Sequence, residues 1–236
     1  YINIPRDSSE ILEYAFYGGN GGGTNLSKVY MSNQVIRIGT QAFENSVKLS
    51  KIKLSTNLAS IGNNAFNYCR QLKQITIPGK CTYLGLRCFQ SAGLEHVVFQ
   101  PSQHPLEIDY SSFGNCSNLK TVDFNDRPIK LIDNMAFAET GLEEIVVPPV
   151  SESIGAFCFS KCTRLKTAVF QELSWVPDNM FQDCTALTSV TLPDSVTDIN
   201  EEAFIGCSKL QNIRLPSELK SIGNIAFAAC VELEPL

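Results

Sequence analysis

Apolar residues recur along this chain at fixed offsets, and one stretch shows the rule in full. Residues Ile199, Ala203, Phe204, Cys207, Leu210, Ile213, Leu215 and Pro216 read I-x-x-x-A-F-x-x-C-x-x-L-x-x-I-x-L-P. The Phe of this unit returns at positions 16, 43, 66, 89, 113, 137, 159, 181, 204 and 227. After the first interval the spacing stays at 22 to 24 residues. A period in the twenties with apolar residues locked to fixed offsets means stacked units, none of which can bury its apolar face alone. The pattern predicts one solenoid of about ten units over residues 11–236. Residues 1–10 lack it, and read as an N-terminal cap or the end of a preceding repeat.

Within each unit the period changes. The segment L-x-x-I-x-L-P ends in the period-two alternation of a strand. Pro78, Pro148, Pro193 and Pro216 close that strand, as suits a residue that cannot donate a ladder hydrogen bond. A second short extended piece precedes Ile-Gly, as in Leu58-Ala59-Ser60-Ile61. The half A-F-x-x-C-x-x-L has offsets of three, which predicts a turn of α- or 3₁₀-helix. At the usual strand spacing of 4.8 Å, ten such units make a rod roughly 45–50 Å long.

Departures from the rule are local. Gly18-Gly19-Asn20-Gly21-Gly22-Gly23 is inserted after Phe16, and its composition predicts a surface loop. The units of Phe89 and Phe137 each lose one residue after the Phe, lack the Cys, and carry Gly93 or Gly141 instead. A glycine allowing a tighter, positive-φ path is the expected reason. The last residue, Leu236, falls where the first apolar position of another strand belongs.

Composition changes this picture little. A formal net charge of −5 argues against a general nucleic-acid binder, which usually carries a basic stripe. No apolar run approaches the roughly 18 residues of a membrane-spanning helix, so no membrane insertion by this segment is expected. Nine cysteines would suggest a disulfide framework in a small secreted domain, but here the repeat absorbs most of them. Cys69, Cys116, Cys162, Cys184, Cys207 and Cys230 sit three residues after the repeat Phe, where Ser46, Ala92 and Thr140 also occur. Such a position calls for a small buried side chain, so most of these thiols are expected to be unpaired. Cys81 is off this ladder and is the thiol whose exposure is open.

Chemistry has little to work with. His96 precedes Val97 on a strand at an exposed position, and His104 falls in the following loop. No nucleophile elbow or Ser/His/Asp set appears, and the glycine insert lacks the Lys-Ser/Thr of a phosphate-binding loop. Cys158 and Cys162 replace the repeat Ala and Cys, so the core explains both, and no four-ligand zinc pattern is present. No catalytic residue, metal ligand or cofactor-binding residue is therefore expected.

What varies between units is the solvent side of the main strand. One column reads Tyr30, Lys53, Thr76, Val98, Asp123, Val146, Val169, Thr191 and Arg214. A second, on the same face, reads Lys28, Lys51, Gln74, His96, Thr121, Glu144, Thr167, Ser189 and Asn212. Valines without a packing duty mark an interaction surface or merely suit a strand. On the first reading the partner-binding face comprises Tyr30, Lys53, Thr76, His96, Val98, Asp123, Val146, Val169, Thr191 and Arg214.

The unit from Leu58 to Pro78 and the run from Cys207 to Cys230 resemble the BspA-like class of leucine-rich repeat, L-x-x-I-x-I-P-x-x-[LV]-x-x-I-G-x-x-A-F-x-x-C. The likeness covers the chain from about Ile11 onward. The resemblance implies a β-rich α/β solenoid, right-handed, with a parallel sheet on its concave face. It also implies a surface or secreted protein of anaerobic bacteria or protozoan parasites, often adhesive toward host proteins. The function expected from it is a monomeric, non-enzymatic binding module at the cell surface or secreted. Its partner would be a protein or glycan, such as a host extracellular-matrix or serum protein. The alternative is a structural spacer or envelope module without a ligand of its own. An enzyme would need a pocket that the repeat pattern does not supply.

Overall fold

The structure, a computed structural model, describes residues 1–19 and 24–234. Most of the glycine insert and the last two residues lie outside the described residues, and with them the expectations placed on that loop and on Leu236.

Each turn of the chain contributes two short strands, numbered β1 to β20 in chain order. The odd-numbered series is β1 (Ile2–Asn3), β3 (Lys28–Tyr30), β5 (Lys51–Lys53), β7 (Gln74–Ile77), β9 (His96–Phe99), β11 (Thr121–Asp123), β13 (Glu144–Val147), β15 (Thr167–Phe170), β17 (Ser189–Thr191) and β19 (Asn212–Ile213). The even-numbered series is β2 (Glu10–Ile11), β4 (Arg37–Ile38), β6 (Ser60–Ile61), β8 (Tyr83–Leu84), β10 (Leu106–Ile108), β12 (Ile129–Ile132), β14 (Val150–Ile154), β16 (Trp175–Val176), β18 (Asp198–Ile199) and β20 (Ser221–Ile222). The described ladders are parallel, and each strand pairs with its counterpart one turn away. Because the apolar offsets repeat, pairing in register places like over like: Ile38, Ile61 and Leu84 align, as do Ile75, Val97 and Val122. The segment before residue 11 joins the same ladder, with Ile2 opposite Val29.

The third side of each turn is not helical. No helix occurs among the described residues, so the α/β expectation and the helical turn over A-F-x-x-C are both corrected. The residues two before and two after each repeat Phe from Phe43 to Phe227 take left-handed φ values, as with Asn64 (54°) and Tyr68 (59°) around Phe66. A left-handed residue every fourth position cannot propagate a right-handed helix. The N–H groups of Ala65, Asn67 and Cys69 close turns onto carbonyls three residues back. Those of Asn64, Phe66 and Tyr68 instead reach Leu86, Cys88 and Gln90 in the next turn. The offsets of three are real, but they serve single turns, and bonding between units displaces bonding within a helix.

Ten Phe positions stack, and from Phe16 to Phe227 they enclose about nine complete turns rather than ten full units. Successive rings lie nearly parallel with centroids 5.0–5.7 Å apart, and the eight inner ones are fully buried. Phe99, Phe124 and Phe170 meet this stack edge-on from the strand side.

The cysteine position does more than save space. Each ladder thiol donates to the carbonyl of the preceding turn's Phe: Cys69 to Phe43, Cys116 to Phe89, Cys162 to Phe137 and Cys207 to Phe181, at 3.0–3.2 Å. The Ser46 hydroxyl makes the same bond to Phe16 at 2.8 Å. All nine thiols are free, and Cys81 is buried. In the shortened turns the Cys is lost along with that donor. Neither Gly93 nor Gly141 has a positive φ, which corrects the expected reason for their presence. A Cβ on Gly93 would lie 1.9 Å from the Arg70 carbonyl oxygen, and one on Gly141 2.3 Å from that of Ser117. Close backbone approach demands glycine here.

The ladders are interrupted in three places, between β5 and β7, β11 and β13, and β14 and β16. Just past the odd strands, the N–H of Gln100 bonds Ile77 and that of Gln171 bonds Val147. Pro78 and Pro148 occupy this slot at the first two interruptions and have no N–H to give. Pro193 occupies it too, and there the ladder only shortens, with three pairs between β15 and β17 against four between β13 and β15. In the even series Gly155 bonds Ile132 and Asn200 bonds Val176, but Pro177 stands between them and leaves Ile154 without that donor. Fully buried Arg127 bonds the carbonyls of Pro78, Gly79 and Cys81, tying two turns together.

Candidate binding face

Strand alternation places every residue of the expected face on the solvent side, exposed or half-buried. Register then groups them. Tyr30 pairs with Lys53; Thr76, Val98 and Asp123 align; so do Val146, Val169 and Thr191. His96 meets Thr121 through Nδ1 and Oγ1 at 2.8 Å. Arg214 lies just beyond β19 and bonds Asp194 at 2.8 Å; the Ser217 N–H first, and then this guanidinium, hold the Asp194 carboxyl below its usual range. The face is not one continuous column, because the sheet opens after Lys53 and again after Asp123.

The second opening has consequences. Between β11 and β13 lies a cleft of about 440 Å³, whose walls include Val122, Asp123, Asp126, Glu144, Val146 and Pro148. Three carboxylates line it and no lysine or arginine does. Val146 stands at its rim, 52% exposed. On the same face, toward the beginnings of these strands, Lys120, Lys166 and Glu143 join His96 and Glu144 around a second depression of about 410 Å³. There the charges are mixed, and Lys166 pairs with Glu143 at 3.4 Å.

Sequence reasoning placed these residues on the solvent side and missed the clefts. The signal was available in Pro148, a strand-closing proline taken as punctuation rather than as a missing donor to the neighbouring turn. It was also available in Pro177, where most turns carry Gly, Asp or Asn. There the second-series interruption opens a cleft beside Trp175, which is 41% exposed.

Among the described residues no three His, Cys, Asp or Glu side chains are placed to hold a metal ion. Burial raises every thiol, Cys81 and Cys116 to about 12 and Cys162 to about 11. Such thiols stay protonated at neutral pH and are poor nucleophiles. Among the described residues no helix is long and apolar enough to cross a membrane.

The repeat pattern matches a known family. The BspA type leucine rich repeat region, in six copies, matches residues 1–107, 102–174 and 174–236. A leucine-rich repeat protein from Bacteroides ovatus is similar with a TM-score of 0.46 and 21% identity, over 98% of this chain and 85% of that one. One from Eubacterium ventriosum gives 0.49 and 20%, over 99% and 77%. A leucine rich cell surface protein from Faecalibacterium prausnitzii gives 0.43 and 20%, over 98% and 86%. No curated protein matches the sequence. With repeat matches running from residue 1 to residue 236, this chain belongs to the BspA type leucine-rich repeat family.

Proposed function

We propose that this chain is a non-enzymatic binding module, displayed at a cell surface or secreted. Its partner is a protein or glycan, such as a host extracellular-matrix or serum protein. Recognition runs through the odd-strand face around Val98, Asp123, Val146 and Val169. The observation that carries this reading is Val146, half-exposed at the rim of a 440 Å³ cleft. An apolar side chain with no packing duty beside a concavity gains by being covered. Strand pairing holds the residues on each side of the cleft in register, Val98 with Asp123 and Val146 with Val169, so little ordering entropy opposes association. The buried, protonated thiols and the paired His96 support binding rather than chemistry.

A binding screen of the chain against matrix proteins, serum proteins and glycans tests the reading. A Val98→Glu/Val146→Glu/Val169→Glu variant, shown to fold by its circular dichroism and melting, runs beside it. Binding that the variant loses supports the reading. Binding that survives moves the site elsewhere on the solenoid, and no binding at all favours a spacer role.

A further inference from the structure

The interruption between β14 and β16 lies on a different side of the turn from the odd-strand face. It has its own cause. Pro177 removes the N–H that would meet Ile154, and the Ile154 carbonyl accepts no hydrogen bond among the described residues. The preceding turn is also short, since Phe170 to Val176 spans six positions where Val147 to Ile154 spans seven. The two strands part, and a cleft of about 390 Å³ opens between them.

Its lining is unusual for this protein. Trp175, the single tryptophan of the chain, forms one wall, with Leu173 and Ile154 as apolar neighbours. Glu152 and Glu172 supply two exposed carboxylates, and no lysine, arginine or histidine lines the space. Glu172 has no hydrogen bond or ion pair among the described residues, and Glu152 meets only Lys130, at 3.6 Å. Lys130 itself lies closer to Glu107. The hydroxyl of Ser195, also in the lining, already donates to Leu173 at 3.0 Å, so it presents lone pairs to the cleft. The site is therefore rich in acceptors: two carboxylates, a backbone carbonyl and a hydroxyl oxygen, beside an indole face.

A ligand that matches this best is rich in donors, positively charged, and able to lie flat on an aromatic ring. Guanidinium meets each condition. It carries five N–H donors in a plane and no acceptor. It pairs with carboxylates in a forked geometry. It stacks on indole, the strongest of the aromatic partners for a cation. An ammonium would satisfy the charge but not the plane. A neutral sugar would leave both carboxylates without a counter-charge.

We propose that the cleft between β14 and β16 binds an arginine side chain presented by an extended segment of a partner protein, the guanidinium lying on Trp175 and paired with Glu152 and Glu172. The site stands independently of the odd-strand face, and either can fail without the other.

Trp175 reports on its own site, because no other tryptophan contributes fluorescence. The chain is titrated at low salt with the blocked peptide acetyl-Gly-Arg-Gly-amide, and separately with its citrulline counterpart, which keeps the shape without the charge. The arginine peptide is expected to give a saturating fluorescence change that weakens as salt is raised. The citrulline peptide is expected to bind at least about tenfold more weakly. Glu172→Gln, an exposed substitution that leaves the ladder intact, should weaken the arginine peptide by a similar factor. Calorimetry on Trp175→Ala, where fluorescence is silent, should show the binding gone. A linear, non-saturating response overturns the proposal, as does equal affinity for citrulline or indifference to Glu172→Gln. Saturation by neutral oligosaccharides but not by the arginine peptide would also overturn it, making the cleft a sugar site.

Discussion

The thiol of Cys184 donates a hydrogen bond to the backbone carbonyl of Phe159, 3.1 Å away and 25 residues earlier in the chain. The same bond recurs from turn to turn, so the position selects a small side chain that is also a donor. Removing the donor from a buried pair typically costs about 1–3 kcal/mol when the partner is left unsatisfied. Here the Phe159 carbonyl keeps a second donor, the Cys162 N–H at 3.2 Å, which places the cost at the lower end. Cys184→Ala should therefore lose about 1–2 kcal/mol, and Cys184→Ser, which copies Ser46, should lose less. Denaturant midpoints of the two variants decide it. An alanine variant as stable as the serine one would mean that size alone matters.

Phe137 lies inside the ring stack with parallel neighbours on both sides, at 5.2 Å from Phe113 and 5.7 Å from Phe159. Phe137→Ala should cost roughly 3–5 kcal/mol. Phe16 has a stacked neighbour on one side only and is partly buried, so Phe16→Ala should cost clearly less. Melting curves for the pair provide the check. Equal losses would contradict a stack whose energy comes from two-sided contact.

Gly93 is needed for proximity and not for its backbone angle. Gly93→Ala would place a methyl 1.9 Å from the Arg70 carbonyl oxygen, a backbone atom with no rotamer to move aside. Overpacking of this kind costs about 1–3 kcal/mol or more. Gly141→Ala should behave alike, and thermal melts of both variants would show it. Wild-type stability in either would mean that the short turns relax freely.

These positions also show what could be read from residues alone. The period of the Phe and the alternation in Ile75-Thr76-Ile77 specify the stack and its two strand series, because burial enforces both. The Cys position was legible in size but not in hydrogen bonding, since serine and cysteine fit either account. The helical reading of Ala65 to Cys69 failed because an offset of three is shared by helices and isolated turns. What separates them is a bond to a residue some 22 positions away, as from Phe66 to Cys88. Nothing local records that partner. The clefts were hidden for the same reason: Pro148 and Pro177 matter through the N–H they deny to the preceding turn.

The buried thiols make stability sensitive to alkali. Burial holds Cys81 and Cys116 near 12 and Cys162 near 11, against an ordinary value of 9. Below pH 9 both folded and unfolded chains keep these protons, and the thiols give no pH dependence. Between about 9 and 11 the unfolded chain releases them while the folded chain does not, so stability falls as pH rises, by roughly 1.4 kcal/mol per thiol per unit. Several thiols acting together should unfold the chain within this window. Denaturant midpoints in reducing buffer should stay flat from pH 7 to about 8.5 and drop steeply beyond 9. A flat profile to pH 10.5 would contradict burial of the ladder.

Pro177 is the residue whose replacement should mend the even-numbered ladder. Asn200 occupies the equivalent slot one turn later and donates to Val176 at 2.9 Å. Pro177→Asn restores a donor opposite the Ile154 carbonyl, worth about 0.5–1.5 kcal/mol. It also frees the unfolded chain from proline's restriction, which costs about 0.4–1 kcal/mol. The two nearly cancel, so stability is a poor readout. Hydrogen exchange is a direct one, because the new amide at position 177 should become as protected as that of Asn200 only if β14 and β16 draw together. The cleft beside Trp175 should narrow with it, and affinity for the arginine peptide should fall without any change to Glu152, Glu172 or the indole. An amide that exchanges as fast as an open loop would mean that the shortened turn from Phe170 to Val176, and not the missing N–H, holds the strands apart.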